Sequence, residues 1–264
     1  MPHHLIAWYS TAFNNASLTK LDVQSSDPLL YPDTSAKTYT PPQDLQLLAA
    51  YAGGTSLEQA RIEAPSLLRV GYPSIVPLES AASPSGDDVG LATYQTRPLR
   101  LVNGEGIAVT AANGASGTVA ACLLCSVGTI AVPPGEGFWL RYTDSTAASP
   151  GAWTTLAAAL DQDLPAGTYA IIGMDHWSAT AVAARLIIEG VRYRPGIVAH
   201  NTAAASRTNE MFYQAKLGVW GYFTNRGLPF VEVLCTGADA AHVGYLYVVR
   251  VGDGDMIHTL PGMQ

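Results

Sequence analysis

Charged side chains are scarce in this chain. Asp, Glu, Lys and Arg make up 13% of its residues, and lysine occurs only at Lys20, Lys37 and Lys216; an ordinary globular domain has about 25% charged residues. Because protein–protein interfaces are depleted in Lys, Glu and Asp, this composition favours a protein whose surface lies largely against neighbouring subunits. A secreted or extracellular β-sandwich with a neutral surface is the alternative.

Basic clusters are also lacking. Residues 1–96 carry 4 bases and 9 acids (−5), and residues 97–264 carry 10 bases and 12 acids (−2), which together give the net charge of −7. Proteins that neutralise nucleic-acid phosphates need clustered Lys and Arg. We therefore expect no direct nucleic-acid binding.

The three cysteines are too few for a disulfide scaffold and indicate reduced thiols in a cytosolic assembly environment. Residues 1–8 have no basic region or cleavage site of a signal peptide. No uninterrupted run of about 18 apolar residues occurs, so no membrane span is expected.

Residues 1–96 are predicted to be an extended N-terminal arm. Prolines at positions 28, 32, 41 and 42 favour extended chain in the residues before them. Two short helices are predicted within the arm. The first covers about residues 43–51, and the second starts at Thr55, where Glu58 gives a capping-box spacing, and ends before Pro65. The arm is expected to contact other subunits through its apolar side chains.

From Arg97 onward, short β-rich runs alternate with turn signals such as Asn103-Gly104 and Asn113-Gly114. This pattern predicts one all-β domain over residues 97–264, an antiparallel β-sandwich or jelly roll. The alanine-rich segment 179–189 could be helical, but its β-branched residues favour a strand. Strands are predicted at residues 98–102, 106–112, 118–127, 137–143, 152–157, 167–175, 180–188, 196–200, 216–224, 229–235 and 243–251.

Cys122 and Cys125 form a Cys-x-x-Cys pair without a second ligand pair, because Cys235 stands alone. In a strand, positions three apart point to opposite faces. Two buried core cysteines are therefore the favoured interpretation over a zinc site.

Other candidate sites are equally incomplete. Asp175-His176 lacks the second histidine of a cupin-type metal site, and His200, His242 and His258 are interpreted as surface or edge histidines. Asp253 and Asp255 lie in a glycine-rich turn that could bind calcium weakly. Asp161 and Asp163 are interpreted as a solvated loop. No nucleophile elbow or phosphate-binding motif is present. Tryptophans and tyrosines could line a sugar-binding face, but core packing is favoured.

The layout resembles viral jelly-roll coat proteins, with a proline-rich arm before a region of short strands. Segments similar in style to bacteriophage structural proteins are 164–173 (LPAGTYAIIG), 194–196 (RPG) and 218–223 (GVWGYF). The resemblance implies eight strands in two sheets, with arms that reach neighbouring subunits. The missing basic arm favours a DNA phage or similar virus.

These observations lead to one expected function and two alternatives. The expected function is a capsid or coat subunit of a virus-like shell in the virion, with copies of itself and other shell proteins as partners. It is not expected to be an enzyme, and no catalytic, cofactor-binding or metal residue is assigned. The first alternative is a β-sandwich binding module for a carbohydrate or a receptor, and the second is a hydrolase of unrecognised type.

Overall fold

The computed structural model describes residues 3–24, 37–69, 75–78, 80–81, 92–94, 98–128, 131–199 and 218–252. These residues form β-strands and one short helix, and the strands pair antiparallel except for β3 with β6, which is parallel. No helix among them is long and apolar enough to cross a membrane.

In the described part of the N-terminal half, ten strands fall into two sheets, and the helix accompanies them. The first sheet has the order β1-β10-β3, and β6, β7 and β8 pair one after another along the far side of β3; the second has the order β2-β9-β4-β5. The elements are β1 (His3–Phe13), β2 (Thr19–Lys20), β3 (Leu45–Gly54), β4 (Leu57–Glu63), α1 (Pro65–Arg69), β5 (Ile75–Leu78), β6 (Ser80–Ala81), β7 (Ala92–Thr93), β8 (Leu99–Leu101), β9 (Ala108–Asn113) and β10 (Gly117–Ser126).

Among the described residues of the C-terminal half there are nine strands, again in two sheets. Their orders are β13-β11-β19-β14-β17 and β12-β18-β15-β16. The strands are β11 (Gly137–Asp144), β12 (Trp153–Leu156), β13 (Ala159–Leu160), β14 (Thr168–Trp177), β15 (Ala181–Ile187), β16 (Gly196–Val198), β17 (Gly221–Thr224), β18 (Phe230–Cys235) and β19 (His242–Gly252).

Both halves have the same connectivity. The strands of each half can be numbered one to eight along the chain if β6, β7 and β8, which share one side of β3, count as one strand and the short edge strand β13 is left out. In both halves, one sheet then has the order 1-8-3-6 and the other 2-7-4-5. This pairing of first with last strand, and of second with seventh, is the connectivity of an eight-stranded jelly roll. The chain is therefore built as two jelly rolls in series, where the sequence suggested one.

The expected division at residue 96 differs from the observed strand pairing. β1 and β3 pair with β10, and β4 pairs with β9, so strands from both sides of that position share sheets. Residues 3–24 and 37–63 do not form an extended arm. The prolines that suggested an arm at positions 28 and 32 lie outside the described residues.

The two predicted helices are wrong. Residues 45–54 and 57–63 are the strands β3 and β4, joined by a turn at Thr55 and Ser56. The described helix instead begins at Pro65, where the missing N–H costs no hydrogen bond. Ser66 anchors it, because its N–H and hydroxyl both donate to the Glu105 carboxylate at 2.6 Å.

The strands predicted after residue 97 are confirmed, and most of their ends lie within two residues of the predicted ones. Segment 179–189 contains the strand β15, as its β-branched residues indicated. Of the segment predicted at 216–224, residues 216 and 217 lie outside the described residues, 218–220 are not strand, and Gly221–Thr224 form β17. The structure differs from the prediction in which strands pair. β8, β9 and β10 were expected in the same domain as the later strands, but they belong to the first jelly roll.

The sheet of β1, β10 and β3 is buried on both faces. Along β1, Ile6 and Trp8 lie in a cluster with residues of β4 and β9, within the first jelly roll. Leu5, Ala7 and Tyr9 lie in a second cluster, which continues into the C-terminal jelly roll. The first jelly roll therefore docks on the second through the outer face of this sheet.

The long edge strand β1 is covered by other parts of the chain. The N–H of Tyr9 donates to the Asp22 carbonyl (2.8 Å), and the N–H of Gln24 donates to the Ala7 carbonyl (3.0 Å). Nearer its start, the N–H of Leu5 donates to the carbonyl of Arg194 at 2.8 Å. These bonds satisfy backbone groups that an open edge would offer to another chain.

Candidate functional site

The two cysteines of the Cys-x-x-Cys pair lie on opposite faces of β10, as predicted. Cys122 belongs to the cluster shared by the two jelly rolls, and Cys125 belongs to the core of the first. Burial raises the pKa of Cys122 to about 12 and raises the pKa of Cys125 further still. Both therefore stay protonated thiols at neutral pH and act as small core residues.

The acidic candidates are separated. Asp161 is exposed and forms an ion pair with Arg141, and Asp163 is exposed in the same loop, as the sequence predicted. His200, His258, Asp253 and Asp255 lie outside the described residues.

His176 and His242 are not surface histidines, which corrects the prediction from sequence. Their side chains are fully buried, at 0% and 1% exposure, and the rings stack with centroids 5.5 Å apart. β14 and β19 are adjacent, and both histidines occupy positions that face into the sandwich. Sequence reasoning could not pair them, because His176 and His242 are 66 residues apart along the chain.

Tyr142 completes this stack from the other side of β19. Its hydroxyl lies 2.8 Å from Nδ1 of His176, and the two rings are stacked. Burial, and to a smaller extent the Asp175 carboxylate, raise the pKa of Tyr142 well above its usual value. The phenol is therefore a neutral hydrogen-bonding group inside the core.

Asp239 connects this stack to the loops at one end of the C-terminal jelly roll. Its carbonyl accepts the N–H of Ala148 at 2.6 Å and lies 3.3 Å from Nε2 of His242, and its carboxylate accepts the N–H of Ala241. Burial acts to raise the pKa of Asp239, but hydrogen bonds, led by that of Ala241, hold it below its usual value. These hydrogen bonds hold together the loops that contain Ala148 and Asp239. Among the described residues, no group of three or more His, Cys, Asp or Glu could hold a metal ion.

Four aromatic side chains lie together on the outward face of the sheet β11-β19-β14, and we name this set the aromatic face: Trp139, Trp177, Tyr245 and Tyr247. Trp139 stacks on Tyr247, its cross-strand partner, with ring centroids 4.6 Å apart. Tyr245 lies edge-on to Trp139 at 6.0 Å and 5.5 Å from Trp177. Trp177 is buried, whereas the other three are half-buried.

Polar groups border the aromatic face on the side of β13. Arg141, which pairs with Tyr245 in the ladder, forms the ion pair with Asp161. The side-chain amide of Gln162 donates to the carbonyl of Trp139 at 3.3 Å. Half-buried aromatic rings beside an arginine, an acid and an amide match the composition of recognition surfaces. Some of the tryptophans and tyrosines that were expected to pack in the core therefore lie on this outward face of the sheet.

A buried ion pair lies in the sheet β12-β18-β15-β16 of the C-terminal half. Arg185 of β15 is fully buried, and its Nε donates to Glu232 of β18 at 2.7 Å. Its guanidinium also lies 4.0 Å from the ring centroid of Trp153. Three neighbouring strands of the sheet, β12, β18 and β15, therefore contribute one side chain each to this contact.

Comparisons with known proteins add little to this description. No family model matches the chain, and no curated protein is significantly similar to it. Among solved structures, the chain is similar to the major capsid protein P2 from Bacteriophage PM2, with a TM-score of 0.26 and 13% sequence identity, over 94% of this chain and 98% of that chain. A TM-score this low does not establish a common fold.

Proposed function

We propose that this protein is a structural subunit of a virus-like shell and that it associates with copies of itself and other shell proteins. The observation that carries the proposal is the double jelly roll combined with a charged fraction of 13%. Jelly rolls serve in viral capsids, in lectins and in cupins. Depletion of charge is what favours the capsid role among these, because it suits surfaces that lie against neighbours.

The strand edges support association through faces and loops. The edge strands β2, β13 and β16 have two or three residues each, and β5, β12 and β17 have four each. β1 is hydrogen-bonded to other segments at Leu5, Ala7 and Tyr9. Short or covered edges offer little template for β-pairing with another chain. Contacts between subunits would therefore use sheet faces and the loops that join strands.

The proposal also assigns a structural role in the virion and no enzymatic one. A subunit of this kind needs neither a metal nor an organic cofactor. Direct binding of nucleic acid is not part of the proposal, because the chain has a net charge of −7 and no basic cluster in its sequence.

The test is the assembly state of the purified full chain. We expect light scattering after size-exclusion chromatography to show large assemblies and negative-stain electron microscopy to show particles of regular size. A chain that remains monomeric at high concentration, over a range of salt and pH and in the presence of the other proteins of its source particle, would overturn the proposal.

The aromatic face favours a second candidate, a binding module for carbohydrate. Sugars bind proteins through aromatic rings bordered by hydrogen-bonding groups, and Trp139 and Tyr247 lie beside Arg141 and Gln162. A glycan array with the wild type and Trp139→Ala separates the candidates. Binding that Trp139→Ala abolishes, from a chain that does not assemble, would favour the module.

A further inference from the structure

The first jelly roll contains two Asn-Gly pairs, Asn103-Gly104 and Asn113-Gly114. An asparagine that precedes glycine can modify itself, because glycine has no side chain to hinder attack of its backbone nitrogen on the asparagine side chain. The reaction needs an asparagine side chain that can rotate towards the next peptide bond. Because the two pairs have the same sequence, a difference in their reactivity must come from the fold.

The first pair lies in the exposed turn between β8 and β9. The N–H of Glu105 donates to the carbonyl of Val102 at 3.2 Å, which closes a β-turn around the pair, and Gly104 has a φ of 78°. A side chain built on Gly104 would meet no atom within 4 Å. Among the described residues, Asn103 forms a hydrogen bond through its backbone N–H, to Asp44 at 2.9 Å, and none through its side chain. The side chain of Asn103 can therefore rotate towards Gly104.

The second pair is held by its surroundings. Asn113 ends β9 and is 1% exposed. Its side-chain nitrogen donates to the carbonyl of Phe13 at 3.2 Å and to the carbonyl of Ala115 at 3.1 Å. The Glu58 carboxylate lies over Gly114, where it would meet an added side chain. The Asn113 side chain would have to break both hydrogen bonds inside the core before it could react.

The two backbone nitrogens do not account for a difference. The N–H of Gly104 donates to the carbonyl of Pro41, and the N–H of Gly114 donates to the carbonyl of Ser56, each at 3.0 Å. Each nitrogen must leave a similar hydrogen bond before it can attack. The contrast between the pairs therefore rests on the asparagine side chains, of which one is exposed and the other is buried and bonded.

We propose that Asn103 is a site of self-modification in this chain and that Asn113 is protected from the same reaction. The Gly104 nitrogen loses its proton to hydroxide and bonds to the side-chain carbonyl carbon of Asn103. The bond from that carbon to the amide nitrogen breaks, and the nitrogen takes up a proton and leaves as ammonia. Water then opens the five-membered succinimide at either carbonyl, which gives aspartate or isoaspartate. The reaction involves no oxidation or reduction and does not depend on whether the chain forms a shell.

The product places a new carboxylate close to Asp44. The backbone N–H of Asn103, together with Arg100, holds the pKa of Asp44 below its usual value, so Asp44 is ionised near neutral pH. Two like charges at this distance repel each other. Isoaspartate also adds a carbon atom to the main chain, which displaces the Gly104 N–H from the Pro41 carbonyl. Modification therefore adds one negative charge and weakens the contacts between this turn and the segment before β3.

Peptide mapping of the full-length chain by mass spectrometry tests the proposal. After incubation of the folded chain at mildly alkaline pH, the peptide with Asn103 should gain the mass of deamidation at least about tenfold faster than the peptide with Asn113, which alone must break two side-chain hydrogen bonds. In guanidinium chloride the two peptides should react at similar rates, because they share the Asn-Gly sequence. A folded chain in which neither peptide reacts, or both react equally, would overturn the proposal.

Two variants on exposed positions identify the reacting group. Isoelectric focusing of the wild type should show a growing band that is one charge more negative than the starting chain. Asn103→Gln should lack this band, because the longer glutamine side chain forms the corresponding ring much more slowly. Asn14→Gln is the matched control and should retain the band, because Asn14 is exposed but is not followed by glycine. A band that grows equally in Asn103→Gln and the wild type would show that Asn103 is not the site.

Discussion

The two jelly rolls have the same strand order but bury their strands differently. In the N-terminal half, successive residues of β1, such as Leu5 and Ile6, are both buried, because its sheet packs on two layers. In the C-terminal half, β19 alternates between buried Leu246 and half-buried Tyr245 and Tyr247, because one face of its sheet is outward. The position of a sheet in the stack, and not its topology, decides its residue pattern.

Buried charged side chains are also distributed differently. The C-terminal half buries Arg185 and Asp175 completely, and each lies on an interior strand of a sheet. The buried polar residues that the structure describes in the N-terminal half, such as His4 and Asn113, include no Asp, Glu, Lys or Arg. The N-terminal half should therefore respond to loss of volume, and the C-terminal half to loss of charge or of a hydrogen bond.

Removal of β1 is the most severe test of this comparison. Deleting residues 1–40 removes an eleven-residue strand that contributes to both buried clusters, so the chain should fail to fold. Circular dichroism should show no cooperative unfolding, and the product should be insoluble. If the truncated chain unfolds cooperatively, like the full chain, β1 is a dispensable arm, as its sequence suggested.

The next largest effect is expected from a tryptophan in the N-terminal core. Trp8 is 0% exposed, so Trp8→Ala should lower the free energy of unfolding by about 3–5 kcal/mol. The matched control is Trp139→Ala on the half-buried aromatic face, where we expect a loss below about 2 kcal/mol. Urea unfolding measures both. Equal losses would show that the two positions are equally buried.

In the C-terminal half, a change of charge without a change of volume should be costly. Glu232→Gln removes the carboxylate that accepts from the fully buried Arg185, and the expected loss in the free energy of unfolding is about 3 kcal/mol. Replacing both residues, as in Arg185→Met with Glu232→Leu, should recover most of that loss in urea unfolding. A single variant as stable as the wild type would contradict a role for the pair in stability.

Alkaline pH should reveal the buried phenol of Tyr142. The pKa of Tyr142 is raised in the folded chain, so its neutral phenol contributes fully to the free energy of unfolding below the pKa of an unfolded tyrosine, about 10. This contribution is lost as the pH rises through the pKa of the folded state. Tyr142→Phe should cost about 1 kcal/mol at neutral pH through the lost contact with His176. Above about pH 10 this difference should shrink in urea unfolding at successive pH values; a constant difference would contradict burial of the phenol.

The smallest effect is expected at the exposed ion pair beside the aromatic face. Asp161→Asn removes the partner of Arg141, and both side chains are at least one third exposed. The loss in free energy of unfolding should stay below about 1 kcal/mol and should vanish at high salt. A larger or salt-independent loss would show that this rim is more buried than the structure indicates.

Much of the C-terminal half could be predicted from its sequence. Runs of β-branched and aromatic residues between Gly, Pro and Asn turns located the strands β11 and β18, and β-branched residues identified β15 as a strand. In the N-terminal half, the opposite orientations of Cys122 and Cys125 on β10 likewise followed from the period of a strand. These features depend on neighbouring residues, and the local sequence therefore determines them.

The tertiary structure decided what depends on residues far apart in the chain. β3 has an uninterrupted apolar run that does not distinguish a strand buried on both faces from a helix, and only its partners β10 and β8 make it a strand. The stack of His176 on His242, the aromatic face and the bond from Arg194 to His4 join residues that are distant in sequence. Composition and local pattern thus determined an all-β chain with little charge, whereas long-range pairing decided that it forms two jelly rolls and where they meet.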